Sequence, residues 1–327
     1  SDSKTFTIEK AASTTTVTCP PSVVYNGAAQ TPCTATVTGV GGLNQALTVT
    51  YTNNINAGTA TASASYAGDA NHNGSSDSKT FIIEKAATVT TVACGAGPFI
   101  YNGSPHTPCT ASVSGPGLSE SLTVNYNNNV NAGTATAGAS YVESANYLGS
   151  SDSKTFTIEK AASTTTVTCP ASVVYNGAAQ TPCTAIVTGV GGLNQTLTVS
   201  YTNNTNAGIA TASASYAGDA NHNGSSDSKT FTIEKAPSVT AVTCPASVVY
   251  NGGTQTPCTA IVTGVGGLNQ AVTVTYTNNI NAGIATASAT FAGDANHNGS
   301  SDSKTLNIEK ANSTTIVTFE PAPYSYR

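Results

Sequence analysis

Eight cysteines fall in four pairs, Cys19/Cys33, Cys94/Cys109, Cys169/Cys183 and Cys244/Cys258. Sulfur in that pattern serves either a metal or a bridge. A structural zinc site wants four Cys or His ligands, usually two of them close together. No C-x-x-C occurs, and apart from His106, three residues before Cys109, no histidine lies close in sequence to a pair. Eight thiols allow roughly a hundred pairings, but each pair recurs at a nearly constant separation, which favours four local disulfides. Such bridges belong to an oxidising compartment.

A second grouping is Asp69-Ala70-Asn71-His72-Asn73-Gly74-Ser75-Ser76-Asp77. It sets oxygen ligands at the first, third, fifth and ninth positions of a calcium loop, Asp69, Asn71, Asn73 and Asp77, with glycine at the sixth. The bidentate glutamate of the twelfth position is replaced by Thr80, and the corresponding segment further on carries Ser144 and Leu148 in place of Asp69 and Asn73. A polar Asx-rich loop is the better reading, and no cofactor is expected. His72, His222 and His297 recur at corresponding places in separate segments, so they are expected as solvated loop residues; His106 is isolated. No Ser–His–Asp grouping recurs, and the chain is expected not to be an enzyme. Tyr25, Tyr51 and Tyr66 have the chemistry to stack on sugars, but packing suits their strand positions better. Lys4 or Lys10 beside an acid is the material of an isopeptide crosslink, a task the disulfides already perform. Seven N-x-S/T sequons are about what so Asn-, Ser- and Thr-rich a chain produces by chance.

All of these groups are carried by one repeated module. Ser-Asp-Ser-Lys-Thr-Phe begins at Ser1, Ser76, Ser151 and Ser226 and returns at Ser301 with Leu306 for the phenylalanine, a period of 75 residues. The period defines modules at 11–85, 86–160, 161–235 and 236–310. Residues 1–10 then read as the closing strand of a preceding repeat and 311–327 as the opening strand of a fifth. The chain is expected to be a piece of a longer array, with Phe319 as a buried ring where the other modules have cysteine.

Within a module the pattern has period two. Thr14–Thr18, Val23–Tyr25, Thr34–Thr38, Leu47–Tyr51, Ala60–Tyr66 and Phe81–Glu84 read as strands. Asn26-Gly27 is a strong hairpin signal and is expected to fold Cys19 against Cys33. Only Leu43–Leu47 has the makings of a helical turn. Thr36 and Thr59 are polar together in module 1, and both positions become isoleucine later, as Ile186 with Ile209 and Ile261 with Ile284. Cross-strand pairing on one outer face accounts for that. The fold class is all-β: an elongated tandem array of small antiparallel β-sandwich, Ig-like domains.

Composition narrows the partners. Charged residues make up 8% of 327 residues and the net charge is −5, so no basic surface for nucleic acid exists. No apolar run reaches the roughly 20 residues of a membrane span.

Tyr25-Asn26-Gly27, Asn56-Ala57-Gly58-Thr59, Ser65-Tyr66-Ala67-Gly68-Asp69-Ala70-Asn71 and Lys79-Thr80-Phe81-Ile82-Ile83-Glu84-Lys85-Ala86 together resemble MBG-type repeats, which belong with other bacterial Ig-like repeats of cell-surface proteins. The resemblance covers the whole chain once per module. It implies β-rich extracellular domains strung in adhesins and stalks, with no shared catalytic residues. The paired cysteines depart from that pattern, as does His72 where a tyrosine is usual; module 2 has the tyrosine, Tyr147. The expected role is a non-catalytic stalk or spacer in a secreted or surface-anchored protein. Two alternatives stand beside it: a subunit of an extracellular filament assembled by self-association or strand donation, and adhesive modules that bind host glycans or proteins. A linker as short as Glu9–Ser13 implies stiffness between modules, each adding roughly 30–40 Å.

Overall fold

A computed structural model describes residues 1–319. The chain forms two compact units, Ser1–Ala161 and Ala162–Arg327. Each unit holds two modules of one plan, and the first module serves for all. Its strands are β1 (Ser13–Thr18), β2 (Ser22–Val24), β3 (Thr34–Gly39), β4 (Leu43–Leu47), β5 (Thr50–Thr52), β6 (Gly58–Tyr66) and β7 (Ser75–Glu84). One sheet has the order β1-β3-β4 and the other β2-β7-β6-β5. All neighbours are antiparallel except β2, which runs parallel to β7. Seven short strands in a three-on-four sandwich are an Ig-like domain.

Alternation decides which residues face inward. Val17, Cys33 and Ala35 from one sheet meet Ala60, Ala62, Ala64, Phe81 and Ile83 from the other, with Leu47, Val49 and Tyr51 closing the sides. Three alanines on β6 leave room for the larger residues. Tyr51 meets Phe81 edge to face at 6.2 Å, the favoured geometry for two aromatic quadrupoles. Each module has its own core cluster of this kind. In the fourth, Leu306 stands where Phe81 stands in the first.

Several expectations are corrected. Asn26-Gly27 is not a two-residue hairpin. Pro20-Pro21 ends β1, and the chain steps to the other sheet, where Ile82 N–H donates to the Pro21 carbonyl and β2 lies along β7. Asn26 instead makes a local turn, its Oδ1 accepting from Ala28 N–H at 2.9 Å with Gly27 at φ +82. The cysteines still meet, because β1 and β3 are the antiparallel partners and Thr18 stands opposite Thr34.

Ile186 and Ile209 lie on different sheets. Ile186 stands between Thr166 and Thr196, and Ile209 opposite Thr232. Ile261 and Ile284 are divided in the same way. Both positions face outward, as parity required, but from opposite sides of the sandwich. Leu43–Leu47 is a strand, and the helical turn is a 3-10 turn just before it, Val40–Gly42. Residues 1–10 and 311–319 form no strand. The matching residues of module 1 lie in β7, held between β2 and β6; residues 1–10 have no such neighbours. Phe319 is 89% exposed rather than buried, and residues 320–327 of the expected opening strand lie outside the described residues.

Candidate functional site: polar pins and module junctions

The four cysteine pairs are disulfides, Cys19–Cys33, Cys94–Cys109, Cys169–Cys183 and Cys244–Cys258, with Cα separations of 3.9 to 4.3 Å. Each joins the first and third strands of its module where their ladder ends. The bridge is backed by Tyr51, whose hydroxyl donates to the Cys33 carbonyl at 3.0 Å and accepts from Cys33 N–H at 2.9 Å. Tyr126, Tyr201 and Tyr276 do the same in the other modules. This tyrosine is therefore held inside the sandwich wall. Tyr66 is tied to Asp69, and Tyr25 meets the next module.

The Ser-Asp-Ser motif has a structural explanation. Asp77 Oδ2 accepts from the Val17 N–H at 2.8 Å, across the sandwich from β7 to β1. Asp152, Asp227 and Asp302 repeat the bond. This main-chain donor holds each carboxyl below its ordinary value. Ser75 extends the link, its hydroxyl lying within hydrogen-bond distance of Ser13 and Thr15. The Ser75 hydroxyl is thus occupied in joining the sheets.

The calcium candidates do not form one coordination set. Asp69 accepts from the Tyr66 hydroxyl, from Asn71 and His72 main-chain N–H groups and from the His72 ring. Asn73 donates to the Lys10 carbonyl, and Asp77 is the sheet pin. Among the described residues, no group of three or more His, Cys, Asp or Glu side chains is placed to hold a metal.

His72 is not solvated. It is 9% exposed, and His222 and His297 are 4% exposed. Nδ1 of His72 lies 3.0 Å from both Asp69 carboxylate oxygens, and Nε2 lies 2.9 Å from the Val40 carbonyl. The ring pins the Asx loop to the 3-10 turn. Gly39 makes room for it: a Cβ there would stand 3.2 Å from the ring. The Val40 carbonyl and the Asp69 carboxylate raise the His72 pKa against the opposing effect of burial. The Tyr66 hydroxyl first, and then the histidine, push Asp69 well below the carboxylate range.

Asn71 does its work elsewhere in the array, as its counterparts show. In the first unit, Asn146 Oδ1 accepts from Ala57 N–H at 2.9 Å and its Nδ2 donates to Asn56 Oδ1 at 3.1 Å. In the second unit, Asn296 makes the same two bonds to Ala207 and Asn206, at 2.9 and 3.2 Å. A ring contact accompanies each. Tyr25 meets Tyr147 at 5.3 Å, and Tyr175 meets His297 at 5.4 Å, both edge to face. The linker itself is built into the following module: Ala86 is 1% exposed, donating to the Asn146 carbonyl and accepting from Leu148 N–H. Lys85 forms an ion pair with Glu143 beside it. This junction is the functional element that sequence reasoning missed. Its signal was Asn146, which keeps the asparagine of Asn71 while Ser144, Tyr147 and Leu148 change around it.

No family profile matches the chain, and no curated protein does. Among solved structures it is similar to the Sidekick-1 immunoglobulin domains 1-5, at 12% identity over 89% of this chain and 78% of that one, with a TM-score of 0.24. Among the described residues, no helix is long and apolar enough to cross a membrane. The chain is a tandem array of Ig-like domains, each closed by its own disulfide.

Proposed function

We propose that this chain is a non-catalytic spacer: MBG-type Ig-like modules in the stalk of a secreted or surface-anchored bacterial protein of the adhesin class. The observation that carries the reading is the use made of the recurring polar side chains. Asp77 joins the two sheets, Tyr51 backs the disulfide, and His72 pins two loops. The asparagine of the Asx loop locks one module to the next inside each unit. What recurs from module to module is devoted to holding shape, which is what a spacer under tension needs. The disulfides suit an extracellular setting.

Pulling single molecules end to end tests this. Four unfolding steps of equal length are expected from the oxidised chain. Reduction should lengthen each step by about 50 Å, because each bridge hides about 14 residues that extend to roughly 3.5 Å apiece. Steps of unequal length, or no change on reduction, would contradict the mechanical reading. A glycan array on the same chain provides the second arm. Binding that maps to these modules would replace the spacer with an adhesive module, whose near-identical copies act through avidity.

A further inference from the structure

The pin at the head of a module is chemically different in the two units, and in both it stands at a junction. In the second unit the 3-10 turn Val265–Gly267 is the platform on which Tyr175 of the preceding module rests. A Cβ on Gly266 would stand 2.5 Å from the Tyr175 hydroxyl, and one on Gly177 would stand 2.5 Å from the Gly266 Cα. His297 fastens that platform. Its Nε2 lies 2.9 Å from the Val265 carbonyl, and its Nδ1 lies 2.9 and 3.0 Å from the two Asp294 oxygens. Both ring nitrogens therefore face acceptors. Only the doubly protonated ring donates on both sides; a neutral ring sets a lone pair against an oxygen on one of them.

The first unit makes the same fastening with a different group. Tyr147 takes the position of His297, and its hydroxyl donates to the Pro116 carbonyl at 2.6 Å. Its ring receives Tyr25 as His297 receives Tyr175. Gly27 faces Pro116 and Gly117 as Gly177 faces Gly266, but less closely: a Cβ on Gly27 would stand 3.7 Å from the Pro116 carbonyl oxygen. A phenol keeps its proton far above neutrality.

We propose that the junction between modules 3 and 4 is a proton-dependent joint, fastened while His297 is an imidazolium and loosened when it is neutral, whereas Tyr147 makes the junction between modules 1 and 2 indifferent to pH over the same range. The groups that face the imidazole are few. Asp294 comes from its own loop, the Val265 carbonyl from the 3-10 turn, and the Tyr175 ring from the preceding module. Lys235 is the nearby cation, and its Nζ donates to the Asp294 main-chain oxygen. Phe291 occupies the place of Tyr66 and Tyr216. Asp294 thus receives no phenol proton, and its ionic partner is His297. Burial works against charge on His297, but the Asp294 carboxylate and Val265 carbonyl outweigh it and leave the pKa above the ordinary 6.5. The joint is therefore closed in mild acid and opens as pH rises through that raised value.

Hydrogen exchange on the oxidised 327-residue chain reads both joints in one sample. Protection, corrected for the intrinsic pH dependence of exchange, is compared at about pH 5.5 and about pH 8.5. A severalfold loss is expected at Tyr175–Gly177 and Val265–Gly267, with no change at Tyr25–Gly27 and Gly117. Equal loss at both joints, or loss at neither, overturns the proposal. His297→Tyr, which installs the residue of module 2, should abolish the difference between the two pH values. An imidazole NMR titration of the unsubstituted chain serves as the measurement that needs no variant. If the His297 ring titrates between those pH values while protection stays constant, the joint is not governed by its proton.

Discussion

Asp77 shows how one side chain ties the two halves of a module together. It is the sole carboxylate of the Ser-Asp-Ser-Lys-Thr motif, and its acceptor role crosses from β7 to the Val17 N–H of β1. β1 is an edge strand, so the bond also occupies a donor that an edge would otherwise offer to another chain. Asp77→Ala should lower the urea midpoint of module 1. Asp77→Asn keeps an oxygen acceptor and should retain most of the stability near neutrality. The sign with pH follows from the lowered pKa. The carboxylate's contribution is present above its ordinary 3.8 and is lost as pH falls through the folded value. Urea melts at two acidic pH values should therefore show acid sensitivity that Asp77→Asn lessens. Asp69 belongs to the same scale. Its oxygens already accept from Tyr66, Asn71 and His72, so a chelator should leave the melting temperature unchanged. A fall of several degrees would bring back the calcium reading.

At the scale of elements, the loops matter more than the strands. Modules 1, 3 and 4 share the histidine pin, and module 2 has Tyr147. The raised histidine pKa gives stability that is full below 6.5 and lost as pH rises through the folded value. The lowered partner carboxyls give stability that is full above 3.8 and lost in stronger acid. The three modules should therefore be most stable between those two values, and thermal melts across pH should show module 2 without the alkaline decline. Glycines in the 3-10 turns give a matched test of the junction. Gly266 and Gly41 have nearly equal φ, +66 and +68, yet only Gly266 faces a tyrosine hydroxyl, while nothing lies within 4 Å of a Cβ at Gly41. Each alanine substitution should bear the same left-handed strain of about 1 kcal/mol. Gly266→Ala should in addition raise exchange at Tyr175–Gly177, and Gly41→Ala should not change its own neighbours.

The strands were legible because alternation is a local property. Ala60, Ala62 and Ala64 announce an inward face without reference to anything distant, and the cysteine pairing followed from recurrence. What escaped was set by partners far along the chain. Val23-Val24-Tyr25 beside Asn26-Gly27 looks like half of a hairpin, but its partner is Ile82–Glu84, reached by a change of sheet. His72 looks solvated because its anchor is the Val40 carbonyl, a main-chain atom with no signature of its own. The Thr36 and Thr59 positions covary in type yet belong to opposite sheets, so shared substitution reflected a shared outward setting rather than contact.

At the scale of the whole chain, each module is closed within itself, with its own core and its own bridge. In the chain-entropy account a loop of this size contributes about 3 kcal/mol per module. Reduction should accordingly lower the melting temperature of every module, which calorimetry with and without reductant would register. The bridge also matters before the native state exists. Modules 3 and 4 share long runs of sequence, including Ser225-Ser-Asp-Ser-Lys-Thr230 and Ser300-Ser-Asp-Ser-Lys-Thr305. A newly made chain of such repeats is prone to exchange strands between neighbours, a known failure of repeat proteins. Cys169–Cys183 and Cys244–Cys258 each close 14 residues, far fewer than the distance to any neighbouring copy. Once oxidised, the first and third strands of a module are bound to each other and to no homologous pair. The disulfide then works as a mark of identity, telling each strand of a nearly uniform polymer which copy it belongs to.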